Sequence, residues 1–394
     1  MKLKLLINLF IIAQLSLLLP VCAQAAPKSA SRAGSASLQN RLIILPLVQE
    51  EGVRERAGLW AQFLAGNLAV MHPGLSEFWF GWRVKNIFST LNGFDSYCDK
   101  GEPRPALAEI ARKTKVRYWL SGRMRVDSGK MQVKFEFQDF AAKGVRTSPW
   151  FDLDLENKLK GFSREFLNWL GRLIPGLPKE GILEAIWPEN TSASGIQALE
   201  KALRHYYTIS AFNTGKLDLK LFETAVLKGP RSYLANDLLG WAFYRQDNFQ
   251  KAASAFQKAV SLNPRGVGAM SGLFWCGVKT DKVEMTLEWA ERKALAREQD
   301  PKPAKGSAMY WLGREAEKKK AFEKAAAYYA EAAVFNPQKA SYATREAKAW
   351  LQAQKPGKAL FIIRNASARF EGKKEKEKLL KLAEEIKAKC GQQK

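Results

Sequence analysis

The sequence predicts an α/β (or α+β) amino-terminal domain followed by an all-α solenoid of stacked helix pairs. Two observations carry this prediction. Residues 41–157 interleave short apolar runs, strand-like alternation and amphipathic stretches, the mixture expected of a sheet with helices packed on it. Farther along, one spaced signature occurs twice. Leu239, Gly240, Phe243, Ala252, Phe256, Ala259 and Pro264 form the first set, and Leu312, Gly313, Ala325, Tyr329, Ala332 and Pro337 the second. In both sets Ala follows Gly by twelve residues, and the aromatic, second Ala and Pro fall at equal further offsets. Small residues at fixed spacing let two helices cross closely, and Pro ends the unit.

The elements follow in chain order. Lys2 and Lys4 precede an apolar run from Leu5 to Val21, and Ala23-Gln24-Ala25 offers an A-x-A cleavage site. That order predicts a secretory signal peptide over residues 1–25. Pro20 and the small-residue exit argue against a membrane anchor, as does a run short of the roughly 20 residues a span needs. Residues 26–40, rich in Ser, Ala and Gly, read as a flexible linker. Arg41 to Leu47 reads as a buried strand and Ala57 to Met71 as an amphipathic helix ended by His72-Pro73-Gly74. Phe78, Phe80 and Trp82 alternate as in a half-buried strand, and Pro105 to Lys115 reads as a helix. Tyr118 to Val126 and Met131 to Phe140 flank Asp127-Ser128-Gly129-Lys130, a hairpin with Gly supplying a positive φ. In its second arm Met131, Val133, Phe135 and Phe137 share one face. Trp150 to Leu155 adds a last strand. A helical connector covers 158–198, with Phe162, Phe166, Trp169, Leu170 and Leu173 on one side.

Composition narrows the function classes. The chain has 394 residues, 46% hydrophobic, and a formal net charge of +24. Losing Lys2 and Lys4 with the leader leaves that charge two lower, at +22. An exported protein rarely meets nucleic acid, so the charge points to anionic lipid or envelope polymer, or to general solubility. After removal of Cys22 with the leader, Cys98, Cys276 and Cys390 form no disulfide framework and no metal-ligand spacing. Whether any two of them pair stays open; buried thiols are the simpler reading. The two histidines, His72 and His205, fall in different predicted domains and read as structural. No phosphate loop, dinucleotide fingerprint or zinc motif is present. The expectation is therefore a protein that is not an enzyme, with no catalytic residues, no cofactor and no metal. Phe78, Trp79, Phe80 and Trp82 could stack on sugar rings, though strand core accounts for them more simply.

The repeated signature resembles the tetratricopeptide repeat, whose period is 34 residues. Stepping from Tyr233 and Gly306 by that period places units at Leu199, Tyr233, Val267, Gly306 and Ala340, with about five extra residues in 300–306. About five repeats then fill 199–373, and residues 374–394 supply a capping helix and tail with Leu379, Leu380, Leu382 and Ile386. The resemblance implies a concave groove lined by positions 2, 5, 9, 12 and 13 of each first helix. Position 9 is Tyr207, Trp241, Trp275, Arg314 and Lys348; position 13 includes Arg245, Lys279 and Lys318; Tyr244 and Tyr310 join the same face. Such a groove is aromatic at one end and basic at the other, which suits an extended, acidic protein or peptide ligand. The same aromatics can instead pack between helices as core.

Ala108-Glu109-Ile110-Ala111, Trp119-Leu120-Ser121-Gly122, the hairpin, and Asp139 followed by Gly144 resemble the amino-terminal domain of TolB-type periplasmic proteins. That resemblance implies an envelope interaction module. Together the readings predict a periplasmic scaffold that binds another envelope protein, with a polyanion- or cell-wall-binding module as the alternative.

Overall fold

The structure is a computed structural model. It describes residues 39–45, 47–50, 77–79, 96–97, 100–101, 111, 115–142, 144–154, 160–175, 193–212, 215–264, 266–297, 299–370 and 373–391. The predicted leader, the helix over 57–71, His72 and Cys98 lie outside the described residues, as does most of the helix over 105–115.

The strands are β1 (Gln39–Ile44), β2 (Val48–Gln49), β3 (Glu77–Trp79), β4 (Val116–Asp127), β5 (Lys130–Asp139), β6 (Val145–Thr147) and β7 (Phe151–Asp152). They form one mixed sheet. β1 lies between β3 and β4 and runs parallel to both, while β5 is antiparallel to β4 and to β6. β1 begins two residues earlier than the predicted boundary, because Gln39 already pairs with Val116. The short β6 was not visible in the sequence, its Val-Arg-Thr being exposed and without alternation. The β4–β5 turn places both Ser128 (φ 51°) and Gly129 (φ 77°) in the left-handed region, the geometry that matches strand twist in a two-residue hairpin.

The predicted strand face is the buried one. Val133, Phe135 and Phe137 of β5, with Tyr118, Leu120 and Met124 of β4, share a core with Phe162, Phe166 and Leu170 of α1 (Lys160–Leu173). Phe135 stands 4.9 Å from Phe166 and 6.2 Å from Trp169, centroid to centroid. The opposite face of the sheet carries Trp119, Ser121, Arg123 and Glu136.

Five helix pairs follow: α2 (Ala193–Phe212) and α3 (Leu219–Lys228), α4 (Tyr233–Tyr244) and α5 (Phe249–Leu262), α6 (Val267–Thr280) and α7 (Val283–Ala296), α8 (Pro301–Lys318) and α9 (Phe322–Phe335), α10 (Ala340–Gln352) and α11 (Pro356–Arg369). A last helix, α12 (Lys373–Gly391), buries Leu379 and Ile386 against the fifth pair, whereas Leu380 points to solvent. The first helix starts six residues before the predicted unit at Leu199.

Turn geometry carries the repeat register more faithfully than side chains do. Asp247, Asp281, Lys320 and Gln354 all sit at φ 57–59° between the two helices of their pairs. In each turn the next N–H closes back on a carbonyl five residues earlier: Asn248 on Phe243, Lys282 on Gly277, Ala321 on Ala316, Lys355 on Trp350, at 2.8–3.0 Å. These bonds satisfy carbonyls that a helix end leaves unpaired. The third pair, which lacks most signature residues, therefore folds like the second.

The five extra residues do not form a loop. Asp300 accepts from the Lys302 N–H at 2.9 Å, Pro301 occupies the first turn, and α8 simply starts earlier. Pro tolerates a first turn because its missing N–H would be unbonded there. Between pairs, the Asp281 carboxylate bonds Lys324 and accepts from Tyr328 Oη at 2.8 Å, tying one turn to the next outer helix.

Candidate functional site

The first helices α4, α6, α8 and α10 carry the groove positions. Trp241 of α4 is half-buried. Its ring meets Phe256 edge-on at 5.1 Å and Tyr244 at 5.6 Å. Its indole N–H donates to the Asp237 carboxyl one turn earlier. Trp241 thus packs as core against Phe256 while part of its surface stays open on the first-helix face. Tyr244 packs on Phe249 at 5.3 Å, and burial pushes its hydroxyl up to about 12.

Trp275 of α6 is the next aromatic at position 9. It meets Phe274 at 5.0 Å and Trp311 at 5.1 Å, both edge-on. Trp311, 40% exposed, then touches Tyr310 at 5.6 Å, and Tyr310 lies 5.6 Å from Tyr342. Sequence reasoning missed Trp311 because it stands beside the family's groove positions rather than on one. Its spacing of 36 residues from Trp275 was the available signal. The aromatic ladder therefore continues from the third pair into the fifth. Tyr207 lies on α2, at the position the register assigns.

The basic half has a different character from a bare cationic patch. Lys279 Nζ stands 3.1 Å from Glu315, and Lys318 Nζ stands 3.4 Å from the same carboxylate. Arg314 donates to Tyr310 Oη at 3.3 Å and lies 3.5 Å from Glu317, which Arg345 also approaches at 3.5 Å. Four cations thus share two carboxylates. Arg245 and Lys348 are exposed at the two ends. Burial pushes the Glu315 carboxyl up, but the Lys279 hydrogen bond and the charges of Lys279 and Lys318 outweigh it and hold Glu315 below the ordinary range. Its contribution is present above the ordinary glutamate value and is lost as pH falls. Glu315→Gln is expected to lower stability at neutral pH by about 1 kcal/mol, with the difference closing in acid. Urea midpoints at two pH values check this.

The Asp237 carboxyl sits under the aromatic end. Burial raises it to about 7, opposed by the Trp241 hydrogen bond, and its Oδ1 has no partner among the described residues. His205 Nε2 accepts the Asp218 N–H at 2.8 Å, a structural role that joins α2 to the start of α3. Cys276 is a buried free thiol, pushed up to about 12 by burial. Among the described residues no cluster of three metal-ligating side chains occurs, and no helix is long and apolar enough to cross a membrane.

Comparisons agree with this architecture. Residues 233–265 and 290–342 match family models described as tetratricopeptide repeat. The chain thus carries tetratricopeptide repeats in an all-helical carboxy-terminal region behind a strand-containing amino-terminal region. A search of curated proteins finds no match. Among solved structures, MamA from Desulfovibrio magneticus RS-1 is 16% identical, covering 44% of this chain and 91% of that chain, with TM-score 0.29. Another crystal structure of MamA is 14% identical, covering 46% and 97%, with TM-score 0.30. YrrB, titled a TPR protein with an unusual peptide-binding site, is 16% identical, covering 41% and 81%, with TM-score 0.26. Likenesses this weak carry no functional argument.

Proposed function

We propose that this chain is a non-catalytic scaffold that holds an extended segment of another protein across the first helices of its repeats. One observation carries the reading: Trp275 and Trp311 stack edge-on at 5.1 Å, with Trp311 left 40% exposed beside the cluster of paired charges. Exposed aromatics on a rigid helix face give large contact area at low entropy cost. The ligand this suits has an apolar or aromatic anchor followed by acidic residues, which compete with Glu315 and Glu317 for Lys279, Arg314 and Lys318. The groove we assign comprises Tyr207, Trp241, Tyr244, Arg245, Trp275, Lys279, Tyr310, Arg314, Lys318 and Lys348, with Trp311 added. The leader's charge and apolar pattern support export, which puts the scaffold in the bacterial envelope, and the TolB-like motifs fit the same location.

A photo-crosslinking residue in place of Trp311 tests this in cells. Discrete protein adducts, lost when Trp275→Ala is added and the fold is retained by circular dichroism, are the expected result. Adducts unchanged by Trp275→Ala, or adducts to glycan and lipid alone, would contradict it.

A further inference from the structure

The amino-terminal sheet holds a second candidate site, unrelated to the groove. On the face turned away from α1, a cavity of about 330 Å³ is lined by Leu45, Val48, Tyr97, Trp119, Ser121 and Glu136, with Lys100 and Arg123 at its polar side. That volume falls within the usual range for small-molecule pockets. Its place in the fold is also suggestive. Leu45 and Val48 follow the carboxyl end of β1, which is parallel to β4, and open α/β sheets bind ligands outside the carboxyl ends of their strands.

Its polar groups are unequally matched. Trp119 is 2% exposed, yet its indole N–H has no hydrogen-bond partner among the described residues. With that nitrogen closed off from solvent, Trp119 lines the cavity as an apolar wall and reports on its occupancy. Lys100 makes no ion pair among the described residues, whereas Arg123 stands 3.6 Å from Glu50. Among the described lining residues the Ser121 hydroxyl and the Lys100 ammonium can donate, and Glu136 is the one carboxylate. Leu45, Val48 and the Tyr97 ring supply an apolar wall.

We infer that this cavity binds a small organic monocarboxylate with an apolar body, its carboxylate held by Lys100 and Ser121. One negative charge suits Lys100, which makes no ion pair among the described residues. A dianion such as phosphate meets Glu136 and lacks use for the apolar wall.

Benzoate is the probe, with benzyl alcohol as its uncharged counterpart and inorganic phosphate as the dianion. Each is titrated into the full chain labelled with ¹⁵N at tryptophan, following the indole resonance that disappears in Trp119→Phe. Benzoate is expected to shift that resonance with millimolar affinity and to bind about tenfold more tightly than benzyl alcohol or phosphate. Lys100→Gln, an exposed change that leaves the core intact, is expected to weaken benzoate about tenfold and leave benzyl alcohol unchanged. No shift up to about 10 mM benzoate, equal binding of benzoate and benzyl alcohol, tighter binding of phosphate, or an undiminished response in Lys100→Gln would each overturn the inference.

Discussion

Phe256→Ala is expected to lower the unfolding free energy by about 3–5 kcal/mol, the range for truncating a large buried aromatic. Phe256 is fully buried on α5, between α4 and α6. A Cβ placed on Gly240 would come within 2.5 Å of its ring, and one on Gly272 within 2.3 Å. Both helices therefore approach the ring along backbone that only glycine leaves bare. Trp241 closes a third side. Removing the ring opens a void that neither neighbouring backbone can fill, and it uncouples the second pair from the third. Because repeat arrays derive stability from such neighbour contacts, the loss should broaden the transition as well as shift it. Equilibrium urea unfolding measures both. A loss below about 1 kcal/mol would mean that the array does not depend on this contact. Tyr329 against Gly313 repeats the arrangement in the fourth pair.

The second large effect concerns pH. Asp237 is raised to about 7 by burial, and Glu346 of α10 is likewise raised to about 7, opposed by its hydrogen bond with Trp350 and the charge of Arg369. An acid that titrates higher in the folded state binds its proton more tightly there. Stability contributed by the protonated form is therefore complete below the unfolded value near 4. It is lost as pH rises to about 7 and is level above that. For Asp237 the rise caps this effect at roughly 4 kcal/mol, and structural relaxation should reduce it to about 2 kcal/mol. The chain is expected to be more stable at pH 5 than at pH 8. Asp237→Asn should flatten much of the difference by gaining stability at pH 8, leaving the part due to Glu346. Chemical unfolding at the two pH values checks it, and an unchanged slope in Asp237→Asn would remove Asp237 from the account.

How much of this was legible depends on which interaction fixes each feature. The pairs around Gly240, Phe256 and Gly313 could be read because close helix crossing demands a small residue opposite a ring at fixed spacing. The turn geometry could not. Its left-handed position is held by Asp247, Asp281, Lys320 and Gln354, none of them glycine, and only the returning N–H bonds impose it. The added turn of α8 was hidden because Pro301 and Pro303 look like loop residues until Asp300 is seen to cap them. The aromatic and basic residues at the family positions lie on the first helices α2, α4, α6, α8 and α10. The carboxylates beneath them, Glu315 and Glu317, were not anticipated, because pairing across helices is set by tertiary approach rather than by spacing. The buried Asp237 carries no sequence mark of its environment. It reads as an ordinary surface acid on an amphipathic helix.

Selection from a random library of peptides about fifteen residues long, with the full chain as bait, tests the central claim most directly. The groove account predicts enriched peptides with an aromatic or apolar anchor near acidic residues. It also predicts that Trp275→Ala with Trp311→Ala weakens them by about thirtyfold, while the folded content and the urea midpoint stay close to those of the parent. Peptides that bind the double variant as tightly as the parent, or a library that yields no enriched sequence, would contradict it.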